Sequence, residues 1–282
     1  MTPPPTHRYS VLCLDIDGTL LSSCKQVSAR TLAAIERVRG TGASVALVTG
    51  RPALRVAPVS ALLGFEPLVV CCNGAVAIAE TGDVIFERRI ERDDVTRIVA
   101  TAAKFNMIVN YYQHGYHAVR VSEQDSLDNQ ARLDAFKDAV NIPFEYTHDY
   151  SAIPVLPAKI LLLTVAPGSG YQSLKQNVPG INVYYEDSFL DCVHASVNKA
   201  EGVKQLCKHL GALPKETVCF GDGSNDIDFL QEAGLGFAMN NGVDAVKQVA
   251  HQITRFSNDE DGVAIEIEDL LEKGLFGPPI GI

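Results

Sequence analysis

The sequence predicts an α/β protein: a doubly wound parallel sheet interrupted by an inserted α+β domain. Three observations predict it. Short apolar runs alternate with helix-periodic segments near both ends of the chain, the pattern of strands joined by crossover helices. Several of these runs stop abruptly at Asp, Thr or Gly instead of fading into surface sequence. Between them the rhythm gives way to hairpins and single helices, the mark of a different layer architecture.

Each element has its own warrant. Tyr9 to Leu14 is a short apolar run ending in acid, read as a buried parallel strand. Ser28 can cap a helix to Arg39, because Leu32, Ile35 and Val38 fall on one face. Ser44 to Val48 is a second buried strand, stopped by Thr49-Gly50-Arg51-Pro52. A helix from Ala53 to Leu63 leads to a third strand, Leu68 to Cys72. Ala75 to Ala79 and Val84 to Phe86 flank Thr81-Gly82-Asp83 as a hairpin. Asp93 to Phe105 reads as helix, Met107–Tyr112 and Tyr116–Val121 as a hairpin around His114-Gly115, and Ser126 to Ala139 as helix. A strand follows at Ala158 to Val165, a helix around Tyr171 to Gln176, and strands at Ile181–Tyr185 and Phe189–His194. The α/β rhythm then returns: helix Glu201–Leu210, strand Thr217–Phe220, helix Ile227–Ala233, strand Leu235–Met239 and helix Val243–Ala250. The expected domains are therefore a discontinuous core, 1–82 and 190–282, and an insert, 83–189.

Composition bounds the function. A chain of 282 residues suits two domains and can bury a core without disulfides. The formal charge of -10, with no basic run, argues against nucleic acid as a partner. The apolar stretches are too short to span a membrane, and Met1 to Thr6 lacks the apolar stretch of a signal peptide. No membrane and a cytoplasmic location are expected. Of the seven cysteines, Cys13, Cys71, Cys72 and Cys219 lie in apolar runs, with no zinc-ligand spacing. They read as small buried hydrophobes.

The polar clusters carry the chemistry. Open α/β sheets bind ligands beyond the carboxyl ends of their strands. Three such ends here hold Asp15 and Asp17, then Thr49 and Gly50, then Asp222, Asn225 and Asp226, while Lys199 begins a helix between them. Phosphate-ester hydrolysis needs such a set. A carboxylate nucleophile meets a dianion, and each unit-charge pair costs about 4 kcal/mol at about 4 Å and an effective dielectric near 20. Magnesium held by oxygen ligands reverses that sign, and Asp15 and Asp222 fit this role with Asp226 as an outer helper. Asp15 is the expected nucleophile, and Asp17 the expected acid/base, worth roughly 10²–10⁴-fold. Thr49, Gly50 and Lys199 suit the phosphoryl oxygens. Each cluster alone has a plainer reading: a turn for Asp15–Gly18, a helix start for Thr49–Pro52, a surface cation for Lys199. Their coincidence at one sheet edge is what favours chemistry.

With these residues in view, the chain resembles the haloacid dehalogenase-like superfamily, and within it the Cof-type phosphatases of subfamily IIB. Asp15-Ile16-Asp17-Gly18-Thr19-Leu20 resembles the first family motif and Thr49-Gly50-Arg51-Pro52 the second. Lys199 resembles the third, and Gly221-Asp222-Gly223-Ser224-Asn225-Asp226 the fourth. Asn73-Gly74-Ala75 and Asp261-Gly262-Val263 are also similar to family features. The resemblance implies a Rossmann-like core with an α+β cap. It implies Mg2+ held by Asp15, the Asp17 carbonyl, Asp222 and Asp226, and catalysis by Asp15, Asp17 and Lys199. It implies phosphate binding by Thr49, Gly50 and Lys199, with Asn225 orienting the lysine or the metal shell and Asn73 at the cleft rim. A small phosphorylated metabolite, such as a sugar phosphate or phosphorylated cofactor, is the implied substrate, and a monomer or weak homodimer the expected state. Two departures are Ala200, where the family commonly has glycine, and Met239-Asn240-Asn241-Gly242, where it often has Met-Gly-Asn.

Rival readings are a phosphomutase, a phospho-Asp signalling receiver and a catalytically dead scaffold. A mutase needs basic residues in the insert, for which Arg88, Arg89, Arg97, Arg120, Arg132 and Lys159 are candidates. A receiver is a single domain of roughly 100–150 residues without an insert. Tyr111, Tyr112, His114 and Tyr116 suit either a ligand cleft or hairpin packing, with packing favoured because aromatic residues prefer strands.

Overall fold

The computed structural model describes residues 8–113, 116–120, 131, 133–136, 145–147, 155–164, 167–185 and 188–279. The chain divides into two compact units. The first comprises Met1–Gly50, Pro58–Phe86 and Asn198–Ile282, and the second Arg51–Ala57 and Glu87–Val197.

The first unit is built on an eight-stranded sheet. In chain order its strands are β1 (Val11–Leu14), β2 (Ser44–Val48), β3 (Leu68–Cys71), β4 (Val76–Ile78) and β5 (Val84–Glu87). After the insert come β12 (Thr217–Gly221), β13 (Leu235–Ala238) and β14 (Gln252–Ile253). The spatial order is β14-β13-β12-β1-β2-β3-β4-β5. Pairing is parallel from β14 to β3 and turns antiparallel at β4. β1, β3 and β12 are buried along their length, and β2 is buried from Val45 on, as continuous apolar runs between two helical layers require. On one face Val11, Cys13, Ala46, Val48, Val70 and Cys219 pack under Val203, Leu206, Phe229 and Val246. These last residues belong to helices Lys199–Leu210, Ile227–Glu232 and Asp244–Val249. Helix Ala29–Gly40, capped by Ser28 through its bond from the Thr31 N–H, packs on helix Gly262–Glu272.

The α/β fold agrees with the sequence reading, and several elements differ from it, among them the unexpected edge strand β14. The expected helix Ala53–Leu63 is a 3₁₀ turn, Ala53–Arg55, followed by a separate helix, Ala57–Leu63. Pro58 explains the break: it lacks an N–H, and its ring clashes with the carbonyl four residues back. A C-terminal helix, Gly262–Glu272, occupies a stretch to which the sequence reading assigned none. A short strand, Glu145–Thr147, was likewise not expected.

The second unit holds a six-stranded sheet. Its strands are β6 (Ile108–Gln113), β7 (Tyr116–Arg120), β8 (Glu145–Thr147), β9 (Lys159–Leu163), β10 (Ile181–Tyr185) and β11 (Phe189–His194), in the order β10-β11-β9-β6-β7-β8. All described pairings are antiparallel except β7 with β8. Helices Arg92–Lys104 and Pro167–Asn177 cover one face through Val95, Ile98, Ala102, Leu174 and Tyr171, which pack on Val109, Tyr111, Ile160, Leu162 and Cys192. Strand Phe189–His194, which a boundary at residue 190 would divide, lies whole in this sheet. Residues 131 and 133–136 are helical, and the rest of the expected Ser126–Ala139 helix lies outside the described residues. All seven cysteines are free thiols, and all but Cys24 are buried. No helix among the described residues is long and apolar enough to cross a membrane.

Candidate active site

The site grows from the carboxyl ends of β1, β2 and β12. Asp15 directly follows β1, and its N–H donates to the Phe220 carbonyl at 3.0 Å, extending the ladder one residue past the strand. This fixes the Asp15 backbone beside the end of β12. The next turn closes on itself, with Leu20 N–H to Asp15 O at 3.2 Å and Leu21 N–H to Ile16 O at 2.9 Å. The Thr19 hydroxyl then donates to Asp222 Oδ1 at 2.8 Å, tying the first acidic run to the last.

Lys199 is the electrostatic centre. It is the first residue of its helix, and Asn198 caps that helix by accepting the Glu201 N–H at 2.8 Å. The lysine is 1% exposed, and Nζ donates at 2.6 Å both to Asp15 Oδ1 and to Asp226 Oδ1. Asp226 is also buried, and its Oδ2 accepts the Asp222 and Gly223 N–H groups, each at 2.9 Å. Asp226 therefore shapes the loop that carries Asp222, as well as pairing with the lysine.

The charges do not balance. Carboxylate oxygens of Asp15, Asp222 and Asp226 lie within 4.8 Å of one another. Three carboxylates against one ammonium leave a formal surplus of two negative charges. Burial raises the Asp15 carboxyl well above the usual range, and the neighbouring Asp226 and Asp222 add to that, against the pull of Lys199. Burial, then Asp226, pushes Asp222 up to about 6. Burial alone would lower Lys199, but Asp15 and Asp226 together outweigh it and hold the lysine above its ordinary value. Three hard oxygen donors that resist shared ionisation suit a small divalent cation, which would relieve the surplus.

The remaining expected residues lie on neighbouring loops of the same unit. Thr49 follows β2 and is buried, its N–H donating to Val70 O at 2.8 Å. Asn225 Nδ2 donates to Asn73 Oδ1 at 3.0 Å. Asn73 is 1% exposed, so the structure places it beneath the loops and not at an open rim. Asp17 is half-exposed, with Lys25 Nζ donating to its Oδ1 at 2.9 Å.

Sequence reasoning missed Lys25, Thr19 and Asn241. Lys25 reaches Asp17 because its turn takes a left-handed residue, φ 57°, which no local pattern signals. Asn241 lies in the stretch that departs from the family pattern. Its amide donates to Gly18 O at 2.8 Å and accepts the Asn258 N–H at 3.0 Å, clamping the Asp15–Leu20 turn. Ala200, the other departure, is simply buried.

The second unit's candidates divide differently. Tyr111 and Tyr112 are each 1% exposed, and Tyr111 Oη donates to Val155 O, which favours packing over a ligand cleft. Arg88 faces Glu91 and His194, Arg89 faces Glu87, Arg97 faces Asp94, and Lys159 faces Asp191. His114 and Arg132 lie outside the described residues, as do the side chains of Tyr116 and Arg120.

Known proteins share this arrangement of sequence and fold. The sequence profile of the haloacid dehalogenase-like hydrolase family matches residues 12–267. A Bacillus subtilis 5-amino-6-(5-phospho-D-ribitylamino)uracil phosphatase is 27% identical over 279 residues, covering 90% of this chain and 94% of its own. The crystal structure of a haloacid dehalogenase-like hydrolase from Bacteroides thetaiotaomicron is 28% identical with a TM-score of 0.78, covering 93% of this chain and all of its own. A subclass IIB sugar phosphatase superposes with a TM-score of 0.80 at 22% identity, over 94% of this chain and 99% of its own, a likeness of fold.

Proposed function

The chain belongs to the haloacid dehalogenase-like hydrolases and is a phosphatase of that family, and from this premise we propose that it hydrolyses small phosphorylated metabolites with Asp15 as nucleophile. The observation that carries the reading is the triad of Asp15, Lys199 and Asp226 at the sheet edge, with Asp222 completing an acidic cluster. In this reading an Asp15 carboxylate oxygen attacks phosphorus, the ester P–O bond breaks, and Asp17 gives its proton to the leaving oxygen. Water then attacks the phosphorus of the acyl phosphate. The bond to Asp15 breaks, Asp17 takes the water proton, and inorganic phosphate leaves. Net, one ester and one water become one alcohol and one phosphate. Thr49, Gly50, Lys199 and Asn225 hold the phosphoryl oxygens. Asp15, the Asp17 carbonyl and Asp222, with Asp226 behind them, would hold Mg2+, which supplies positive charge against the approaching dianion.

The second unit, with Glu87–Val197 as its main segment, serves in this proposal as the inserted cap that selects the leaving group. A sugar phosphate or phosphorylated cofactor is the favoured substrate class, in line with the small phosphorylated compound named for the Bacillus subtilis relative. Action in the cytoplasm as a monomer or weak homodimer completes the proposal. The mutase alternative gains nothing from Arg88, Arg89, Arg97 and Lys159, each of which already faces an acid of its own unit.

The test is phosphate release from a panel of phosphorylated metabolites and one activated aryl phosphate, with and without magnesium. Wild type releases phosphate only with the metal, and Asp15→Asn releases none. A variant with full activity, or an inert wild type, contradicts the reading.

A further inference from the structure

Among the described residues, Cys72 (φ 52°), Asn73 (φ 53°) and Gly74 (φ 96°) form the one run of three consecutive left-handed residues. Two of the three carry side chains, for which this conformation is uncommon and persists only where the surroundings impose it. Both side chains are buried, at 3% and 1% exposure. The run follows β3, a strand that carries none of the residues given a chemical role, yet the turn reaches the Thr49–Gly50 loop, the Asn225 loop and the start of the Lys199 helix.

The contacts are specific. The Asn73 N–H donates to Thr49 O at 3.1 Å. The Asn73 side chain accepts from Asn225 Nδ2 at 3.0 Å. A Cβ on Gly50 would sit 2.9 Å from Asn73 Oδ1, so the amide lies flat against the Gly50 backbone. A Cβ on Gly74 would sit 1.8 Å from the carbonyl of Asn198, the residue that caps the Lys199 helix. One turn thus buttresses Thr49 and Gly50, Asn225, and the start of the helix that delivers Lys199.

We propose that Asn73 is a positioning residue that sets the spacing of the phosphate-binding loops, acting through Asn225 and the Thr49–Gly50 backbone without itself contacting the phosphate. The inference rests on the reading of Thr49, Gly50, Lys199 and Asn225 as the phosphate site. It gives a reason for an amide side chain at a left-handed, buried position. The left-handed backbone aims the Asn73 N–H at one loop while the side chain receives the other.

Asn73→Gly isolates the effect, because glycine accepts the left-handed backbone at no steric cost and only the amide is lost. Binding of inorganic phosphate in magnesium buffer is measured by calorimetry for wild type, Asn73→Gly, Asn225→Ala and the double variant, with a melting curve for each. Asn73→Gly weakens phosphate binding roughly tenfold, the scale of one buried hydrogen bond, and leaves the melting temperature within about 2 °C. Asn225→Ala, which loses its own phosphate contact as well as this hydrogen bond, weakens binding at least as much, and the double variant is about as weak as Asn225→Ala alone, because Asn73 acts through Asn225. Unchanged phosphate affinity in Asn73→Gly overturns the brace while leaving the phosphate site intact. Multiplying losses, roughly a hundredfold in the double variant, overturn it as well, since Asn73 then acts independently of Asn225. A fall in melting temperature beyond about 10 °C in Asn73→Gly overturns it in favour of a structural role. A wild type that binds no phosphate overturns the site reading, and the brace with it.

Discussion

Among the described residues, two lysines are almost wholly buried against carboxylates, and they stand in opposite electrostatic situations. Lys159, in the second unit, faces Asp191 across neighbouring strands β9 and β11, with Nζ 2.5 Å from Oδ2. Among the described residues this is a cation facing an anion within a sheet. Lys199, in the first unit, sits between Asp15 and Asp226 with Asp222 close by, so that acid exceeds base by two charges. A balanced buried pair contributes little net stability once desolvation is counted, and good apolar packing can replace it. An unbalanced cluster costs stability and persists where a missing charge, from a metal or a substrate, completes it. Burial of a lysine is therefore no signal of function by itself. The surplus of acid around it is.

The comparison can be broken first at Lys199. Lys199→Met removes the cation that faces two buried acids, and phosphate release should fall by about 10²–10³-fold, as for loss of a preorganised charge contact. Steady-state assay with magnesium checks this. Asp17→Asn is next: turnover slows by roughly 10²–10⁴-fold while the phosphoryl group still reaches Asp15. Normal turnover would remove the acid/base role from Asp17.

The Lys159 side of the comparison predicts a change in stability instead. Lys159→Met removes the buried cation that faces Asp191 and should cost about 3–5 kcal/mol in urea unfolding. Lys159→Met with Asp191→Leu should recover most of that loss and keep activity within about threefold of wild type. A double variant that is stable but inactive would make the pair functional and erase the contrast.

The smallest effect concerns pH. Burial lowers His117 to about 4, from an ordinary value of 6.5, beside Asn110 and stacked on Tyr112. The unfolded chain then binds the proton more readily than the folded one. This group's contribution is fully present above pH 6.5 and is lost as pH falls toward 4, on the order of 3 kcal/mol. His117→Gln should flatten the fall in stability between those values, as read from melting curves across pH.

The contrast also shows what the sequence could disclose. Strands β1, β2, β3, β12 and β13 were legible because each is a short apolar run buried on both faces, and such runs carry their own boundaries. Asp15, Asp17, Thr49, Asp222 and Asp226 were legible because polar residues directly after such runs fall at one sheet edge. Asn73 was legible as a residue of interest but not in its setting, since burial beneath two loops depends on contacts distant in the chain. Lys25 and Asn241 were invisible for a similar reason: an exposed turn lysine and a loop asparagine differ from ordinary surface residues only in what the fold brings to them. The helix Gly262–Glu272 was missed although Val263, Ile267 and Leu270 are buried on one face. Its start is an unusual one, at a left-handed Asp261 with no side-chain cap.

The central claim is that Asp15 is the residue that bears the phosphoryl group. It is tested most directly by acid quench during turnover of a substrate carrying a labelled phosphoryl group, followed by peptide mapping. The account predicts label on the peptide containing Asp15 in wild type, more of it in Asp17→Asn, and none in Asp15→Asn. Label on another residue, or Asp15→Asn turning over at the wild-type rate, would contradict it.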